Sequence, residues 1–383
     1  MLLDRISEFE NKNFAYFCKF DSERVTGRER LFISSQDPVK IYNNAIDHMN
    51  NQFLSIIQGG INVPIIVSYD FIDDIYPDIK LKRSMWPKVS YIIPDKELTG
   101  TYRREKEQTT MVKDGFSDEA LEAKIGDAIE RIKKGDLLQI VLSRRFDLGK
   151  YDPLYILKKF LMNDRSLYVY YYKFGDMEVI GSSPENLLSV EDGTITIYPV
   201  AGTRKRGKSE SEDRYLENDL KNDEKELLEH RMLVDLARND IGRICYPGTV
   251  EVMRSMEIRK FASVMHIVST VSGKLESSGP GDILKSVFPA GTVSGAPKKK
   301  AISLINEYED LPRGAYAGAL GIAGNGEMDL ALLIRSMFKI NGESYTQAGA
   351  GIVKDSVPAS EVAEIYSKIL TVTGGIYEKN IDY

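Results

Sequence analysis

Regular elements come in clusters along this chain, without the strict strand–helix alternation that winds a parallel sheet. Tyr168 to Phe174, Met177 to Ile180, Leu187 to Val190 and Thr194 to Tyr198 read as four strands in close succession, and Asp192-Gly193 marks a tight hairpin turn. Ala317 to Ala323 and Ala331 to Ile340 read as a hairpin across Gly324-Asn325-Gly326, and Asn341-Gly342 turns the chain into Tyr345 to Val353. Turns this short join antiparallel neighbours. The expected fold class is α+β.

Helices fall between the strand clusters. Leu121, Ile125, Ala128, Ile129 and Ile132 repeat at helical spacing up to Gly135-Asp136. Asp152-Pro153 offers a cap and a first-turn proline for a helix through Met162, and GTVSGAP leads into another over Lys298 to Tyr308. Leu137 to Phe146 is a buried strand whose one inward-capable polar side chain is Gln139. Residues 1–106 read as a smaller layer of their own. It holds a helix from Asp37-Pro38, a strand at Ile65 to Tyr69, and a polar connection from Thr99 to Thr110 into a unit over 107–383. Arg204 to Glu212 reads as a charged loop.

The 383 residues suffice for a substantial core. Lys plus Arg number 51 against 57 for Asp plus Glu, and the basic run Lys298 to Lys300 is too short for a nucleic-acid face. No apolar stretch approaches membrane-spanning length, and Asp4 and Glu8 interrupt any leader-like run. Cys18 and Cys245 have neither metal spacing nor a disulfide framework, so a reducing cytoplasm is the expected location.

The helix DEKELLEHRMLVDLARND places Glu226 and Glu229 on one face, three residues apart. Glu361 and Glu364 repeat that spacing in PASEVAEIYSKIL. Read alone, each pair is a solvated helix surface; facing one another, the two pairs make an oxygen-lined site for a hard dication, Mg²⁺ above all. Arg335 is the one charge in ALLIRSMF and needs a partner, either a structural carboxylate or a substrate's. His266 in SVMHIVST is either a satisfied core histidine or a participant in chemistry. Glu185, at a strand end, suits a buried acid that protonates a leaving hydroxyl. Gly202-Thr203 and Gly349-Ala350-Gly351 are either ordinary turns or backbone N–H groups open to an anion.

From about Ser117 to Ile376 the chain resembles the chorismate-utilising enzymes, most closely the anthranilate synthase component I branch. The matching runs include DLLQIVLSRRF, IGSSPENLL, PVAGTRKRG, EHRMLVDLARNDIGR, MHIVSTVSG, FPAGTVSGAPKKKAISLI, RGAYAGALG, QAGAGIVKDSVP and EVAEIYSKI. The resemblance implies two packed antiparallel sheets flanked by helices, with the site between them. It implies Mg²⁺ on Glu229 and Glu364, with Glu226 and Glu361 as their neighbours one turn away. Arg335, Tyr316 and the Gly349, Ala350 and Gly351 backbone match an enolpyruvyl-carboxylate site, and Gly202, Thr203 and Lys368 the ring-carboxylate side. Glu185 matches the general acid and His266 a residue beside the reacting ring. Gln139 stands where isochorismate and salicylate synthases carry a water-activating Lys, and Ala201 where aminodeoxychorismate synthases of the folate pathway carry a nucleophilic Lys. The implied activity is conversion of chorismate and ammonia to anthranilate and pyruvate in tryptophan biosynthesis, with aminodeoxychorismate synthesis as the alternative. Neither cysteine sits in a glutaminase-type turn, so a separate glutamine amidotransferase subunit (component II) is implied, in a hetero-oligomer. The tryptophan-binding stretch NPSPYMF is replaced by Asn163 to Val169, and the resemblance does not extend to it.

Overall fold

A computed structural model describes residues 2–21, 23–104, 118–164, 166–260, 264–276 and 278–373. Among them two antiparallel sheets pack face to face. The nine-stranded sheet runs Gly295–Ala296, Gln139–Asp147, Glu343–Ile352, Ser336–Ile340, Met177–Ser183, Tyr168–Phe174, Asn13–Phe20, Thr26–Ser34, Lys96–Arg103. The ten-stranded sheet runs Val200–Lys205, Val264–Lys274, Thr194–Ile197, Asn186–Glu191, Glu327–Leu332, Ala319–Gly324, Val63–Val67, Val89–Tyr91, Val39–Ile41, with Glu251–Lys260 paired to Val264–Lys274 off that path. The α+β class and the two-sheet arrangement are as the sequence implies.

Local chemistry sets the turns. Asp192 and Gly193 have φ of 48° and 71°, and Asn341 and Gly342 have 51° and 85°. Positive φ at both central residues is the hairpin turn that matches strand twist, and Asp-Gly and Asn-Gly are the pairs that adopt it at least cost. The largest hydrophobic cluster lies between the sheets, with Tyr168, Tyr170 and Tyr172 of one against Leu188, Leu330 and Ala331 of the other. Outside the nine-stranded sheet, the Glu119–Lys133, Lys298–Tyr308 and Pro358–Thr373 helices cover Ile140, Leu142, Ala348, Ala350 and Ile352.

Four expectations change. Strands from the first 106 residues are built into both sheets, so that segment is not a layer apart; its polar stretch includes the edge strand Lys96–Arg103, and residues 105–110 lie outside the described residues. Polar residues suit an edge strand because one flank meets solvent. The helix expected from Asp37 begins at Ala45, and Val39–Ile41 is a strand. Arg204 to Glu212 is a loop only at 206–209: Val200–Lys205 is a strand, and Ser209 caps a Glu210–Asn222 helix whose buried residues are only Asp213 and Leu220. A helix that buries so little leaves no hydrophobic period to read.

The single strand expected at Ala331 to Ile340 is broken. Glu327–Leu332 belongs to the ten-stranded sheet and Ser336–Ile340 to the other, so the chain changes sheets at 333–335. Arg335 lies in that crossing with φ of 50°, not within a strand. Beside it, Met177–Ser183 passes to Asn186–Glu191 through Pro184 and Glu185, again from one sheet to the other. The two crossings are laced by Ser182 N–H to the Arg335 carbonyl at 3.2 Å and Leu332 N–H to the Glu185 carbonyl at 3.0 Å.

A buried ion pair fixes the floor next to these crossings. Arg313, 2% exposed, donates to both oxygens of Glu309 at 2.6 and 2.8 Å, and to the carbonyls of Val293 and Val141 at 2.6 and 2.8 Å. Removing one member of such a pair leaves an uncompensated buried charge. Arg313→Met is expected to cost about 3–5 kcal/mol of stability, read as a fall in the urea midpoint relative to the parent chain.

Candidate active site

A cavity of about 250 Å³ opens where the two crossings meet. Glu185, His266, Tyr316, Arg335, Gly349, Gly351 and Lys368 all line it. These seven come from widely separated parts of the chain, and the crossings bring them together. Gly349 and Gly351 alternate with Ala350, which points the other way into the helix-covered cluster. Ala350 therefore contributes no side chain to the cavity. Gln139 is not a lining residue but lies directly beneath one: a Cβ added at Gly351 would stand 2.8 Å from its Nε2.

Gly202 and Thr203 stand behind His266. The ring Nδ1 is 2.9 Å from the Gly202 carbonyl and 3.1 Å from the Thr203 hydroxyl. A carbonyl only accepts, so Nδ1 carries the hydrogen and Nε2 is the acceptor of the neutral ring. Burial holds the His266 pKa below the usual imidazole value; the Gly202 bond opposes this, and Arg24 and Arg335 reinforce it. Glu185 moves the opposite way. Burial raises its pKa, against the Thr292 hydroxyl donating to Oε1 at 2.7 Å and the charges of Arg335 and Lys368. A carboxyl with a raised pKa and an imidazole with a lowered one, lining the same cavity, are a set of groups for moving protons.

The four helix glutamates lie just outside the cavity. The Glu224–Ile241 helix starts at Asp223, whose carboxylate caps the N–H groups of Lys225 and Glu226. Glu226 meets Arg204 at 3.4 Å and approaches Gly202, where an added Cβ would stand 3.2 Å from Oε2. Glu364 meets Lys368 at 2.7 Å, and the same ammonium donates to the Gly349 carbonyl at 2.8 Å. Glu364 thus touches a wall residue directly, and Glu226 reaches Gly202 behind His266. Burial raises the pKa of Glu229, with Glu226 adding to it and Lys225 opposing; burial likewise raises Glu361, where Glu364 adds and Lys225 is among the opposing charges. The Lys225 charge thus acts on a glutamate of each helix.

Among the described residues, no three acidic, imidazole or thiol groups close on one point to enclose a metal ion. The expected four-carboxylate cage is thus two pairs, with Arg204 on one and Lys368 on the other. The donor set still suits Mg²⁺. It consists of hard carboxylate oxygens, and burial and like charge make two of them costly to leave ionised without a cation.

Three lining residues escape a sequence reading. Arg24 reaches in from the N-terminal segment with its guanidinium 3.5 Å from the Pro184 carbonyl, and burial draws its pKa down to about 10. Nothing local to its polar loop signals that. Thr292 and Gln347, in GTVSGAP and QAGAGIV, sit inside runs that already stood out. A larger cleft of about 1060 Å³ lies at the other end of the sandwich, but it holds none of these groups and its charges pair internally, Lys19 with Asp329 and Arg30 with Glu97, both at 2.7 Å.

The Thr292 hydroxyl stabilises the ionised form of Glu185. Thr292→Val therefore moves the Glu185 pKa further up, so that ionisation requires higher pH than in the parent chain. A carboxyl-carbon NMR titration of the two proteins checks the direction; a downward move contradicts the assigned hydrogen bond.

Comparison with known proteins agrees with this geometry. The family model for chorismate binding enzymes matches residues 80–374. Anthranilate synthase component 1 of Methanothermobacter marburgensis is 47% identical over 285 residues, covering 74% of this chain and 61% of that protein. The protein of that name from Acetivibrio thermocellus is 40% identical over 352 residues, covering 89% and 68%. The chain thus spans about three-fifths to two-thirds of the length of these curated relatives. The crystal structure of anthranilate synthase component I from Streptococcus pneumoniae TIGR4 superposes with a TM-score of 0.74 at 31% identity, covering 94% of this chain and 92% of that one. A dihydroxybenzoate-specific isochorismate synthase from Bacillus anthracis, 22% identical with a TM-score of 0.76, shares the fold. With its cavity residues and a family match over most of its length, the chain belongs to the chorismate binding enzymes.

Proposed function

We propose that this chain is component I of an anthranilate synthase, converting chorismate and ammonia to anthranilate, pyruvate and water. The observation that carries this reading is one cavity in which Arg335, Lys368 and Tyr316 can hold two carboxylates while Glu185 and His266 are poised to move protons. The names of the similar proteins support it.

Arg335 is suited to grip the enolpyruvyl carboxylate, with the Tyr316 hydroxyl and the unobstructed Gly349 and Gly351 backbone alongside. Lys368 takes the ring carboxylate. Mg²⁺, held by Glu229 and Glu364 with Glu226 and Glu361 one turn away, would supply charge neutralisation at that carboxylate. Ammonia forms a C–N bond at ring C2. The double bonds shift and the C4–O bond breaks, with Glu185 giving its proton so that the hydroxyl departs as water. Loss of the C2 proton then drives elimination of the enolpyruvyl group as pyruvate and aromatises the ring. The His266 Nε2 is the acceptor for that proton.

Reaction choice turns on what is absent from two positions. Gln139, under Gly351, cannot deprotonate water as a lysine can, which favours ammonia over hydroxylation. Ala201 offers no amine for covalent attack on the ring. Glutamine use requires an amidotransferase partner, component II. Cys18 and Cys245 are both buried thiols, in keeping with a reducing cytoplasm. Among the described residues no helix is long and apolar enough to cross a membrane.

Incubation with chorismate, Mg²⁺ and ammonium, with the product identified by fluorescence and mass, tests the reading. Ortho-aminobenzoate is expected, formed with ammonium but not with glutamine alone. Para-aminobenzoate would place the chain with the aminodeoxychorismate synthases, and unconsumed chorismate would sink the enzyme reading. Glu185→Gln, a neutral isostere of the protonated acid, is expected to keep chorismate binding by calorimetry and lose about 10²–10⁴-fold in kcat. Gln139→Lys is expected to yield isochorismate, detectable by chromatography.

A further inference from the structure

Gln347 is 3% exposed and lines the reactant cavity beside Gly349, Tyr316 and Arg335. Its orientation follows from its neighbours. The Glu309 carboxylate, gripped by Arg313 at 2.6 and 2.8 Å, only accepts hydrogens. The Ser143 hydroxyl lies 2.7 Å from Glu309 Oε1, so its one hydrogen is committed there. Ser143 Oγ must then accept from Gln347, whose Nε2 is 2.8 Å away. The amide nitrogen is therefore turned toward Ser143, on the side of a neighbouring cleft that Leu142, Arg145 and Tyr308 also line. The amide oxygen faces away from Ser143. It is buried and has no partner among the described residues, although every other member of this chain of bonds is satisfied.

A buried carbonyl oxygen without a hydrogen carries a free-energy penalty, and most such groups in folded proteins find a partner. We infer that Gln347 is a further binding residue of the cavity, its side-chain oxygen accepting a hydrogen from an O–H or N–H of the reactants. This rests on the proposed reading for the identity of those reactants. Chorismate's carboxylates only accept, and the cavity meets them with Arg335, Lys368 and Tyr316. The available donors are the ring C4 hydroxyl and ammonia. An amide oxygen suits either, since it orients an O–H or N–H without removing its proton, and leaves an ammonia lone pair available for attack.

Steady-state kinetics of the purified chain with chorismate, Mg²⁺ and ammonium separate the cases. Gln347→Met keeps the length and volume of the side chain and removes the oxygen. A rise of about tenfold in the KM for ammonium, with the KM for chorismate held, assigns the bond to the amine. The same rise in the KM for chorismate assigns it to the ring hydroxyl. Ser143→Ala frees the amide to rotate and should move the same KM by a smaller factor; it also serves if the methionine variant does not fold. Both KM values staying within twofold of the parent, as expected if the oxygen merely holds a water, overturns the inference alone. A parent chain that makes no aminobenzoate overturns the functional reading and this inference together.

Discussion

Two strand crossings lie side by side, and the rest of the site depends on them. At Pro184-Glu185 and again at 333–335 the chain leaves one sheet and enters the other. A residue within a ladder has its side chain sent to one face by the pleat, whereas a crossing residue can project into the gap between sheets. The backbone bonds from Ser182 to Arg335 and from Leu332 to Glu185 fix the separation of the two crossings. An acid and a guanidinium are thereby set at one seam by main-chain geometry, which is stiffer than any side-chain contact. The left-handed φ of Arg335 is the local strain that this placement requires.

The seam also gathers positive charge. Arg24, Arg335 and Lys368 all reach the cavity; Arg24 and Arg335 help to lower the His266 pKa, while Arg335 and Lys368 oppose the effect of burial on Glu185. An excess of positive charge in a partly closed space favours a doubly negative guest. One layer out, Lys368 also meets Glu364, while Arg204 behind the wall meets Glu226. Desolvating cations inside and carboxylates outside would be costly singly; sharing Lys368 between Glu364 and the Gly349 carbonyl joins the two layers.

Much of this was legible in the residues. Short Asp-Gly and Asn-Gly turns between apolar runs announce antiparallel sheets, and repeated i, i+3 glutamates announce two acidic helix faces. Arg335 stood out as a charge in an apolar run, though its run conceals a change of sheet. Side-chain pattern is blind to that change, because Leu332, Leu333 and Ile334 are apolar whichever sheet they serve. Arg24 and the Glu210–Asn222 helix were invisible for a different reason. Their roles depend on partners far away in sequence or on polar contacts such as Arg206 with Asp213, which leave no periodicity. The N-terminal segment misled because its short strands complete sheets whose centres lie elsewhere in the chain.

The acidic helix shows how a sequence signal and its structural meaning can differ. Leu227 and Leu228 suggest a broad apolar stripe, yet Leu228 is 63% exposed and the buried face is His230, Leu233, Val234, Ala237 and Ile241. Glu226 and Glu229 lie beside that face and are only partly buried, with Glu226 directed to Arg204 and Gly202. Its far end is pinned by Asp240, buried against Lys298, which also bonds the Val287 carbonyl. Asp223 caps its start. With both ends fixed, the rotation of the helix about its axis is set by packing. Their partly buried state, with burial and mutual repulsion raising Glu229 and Glu361, is therefore a property of the fold.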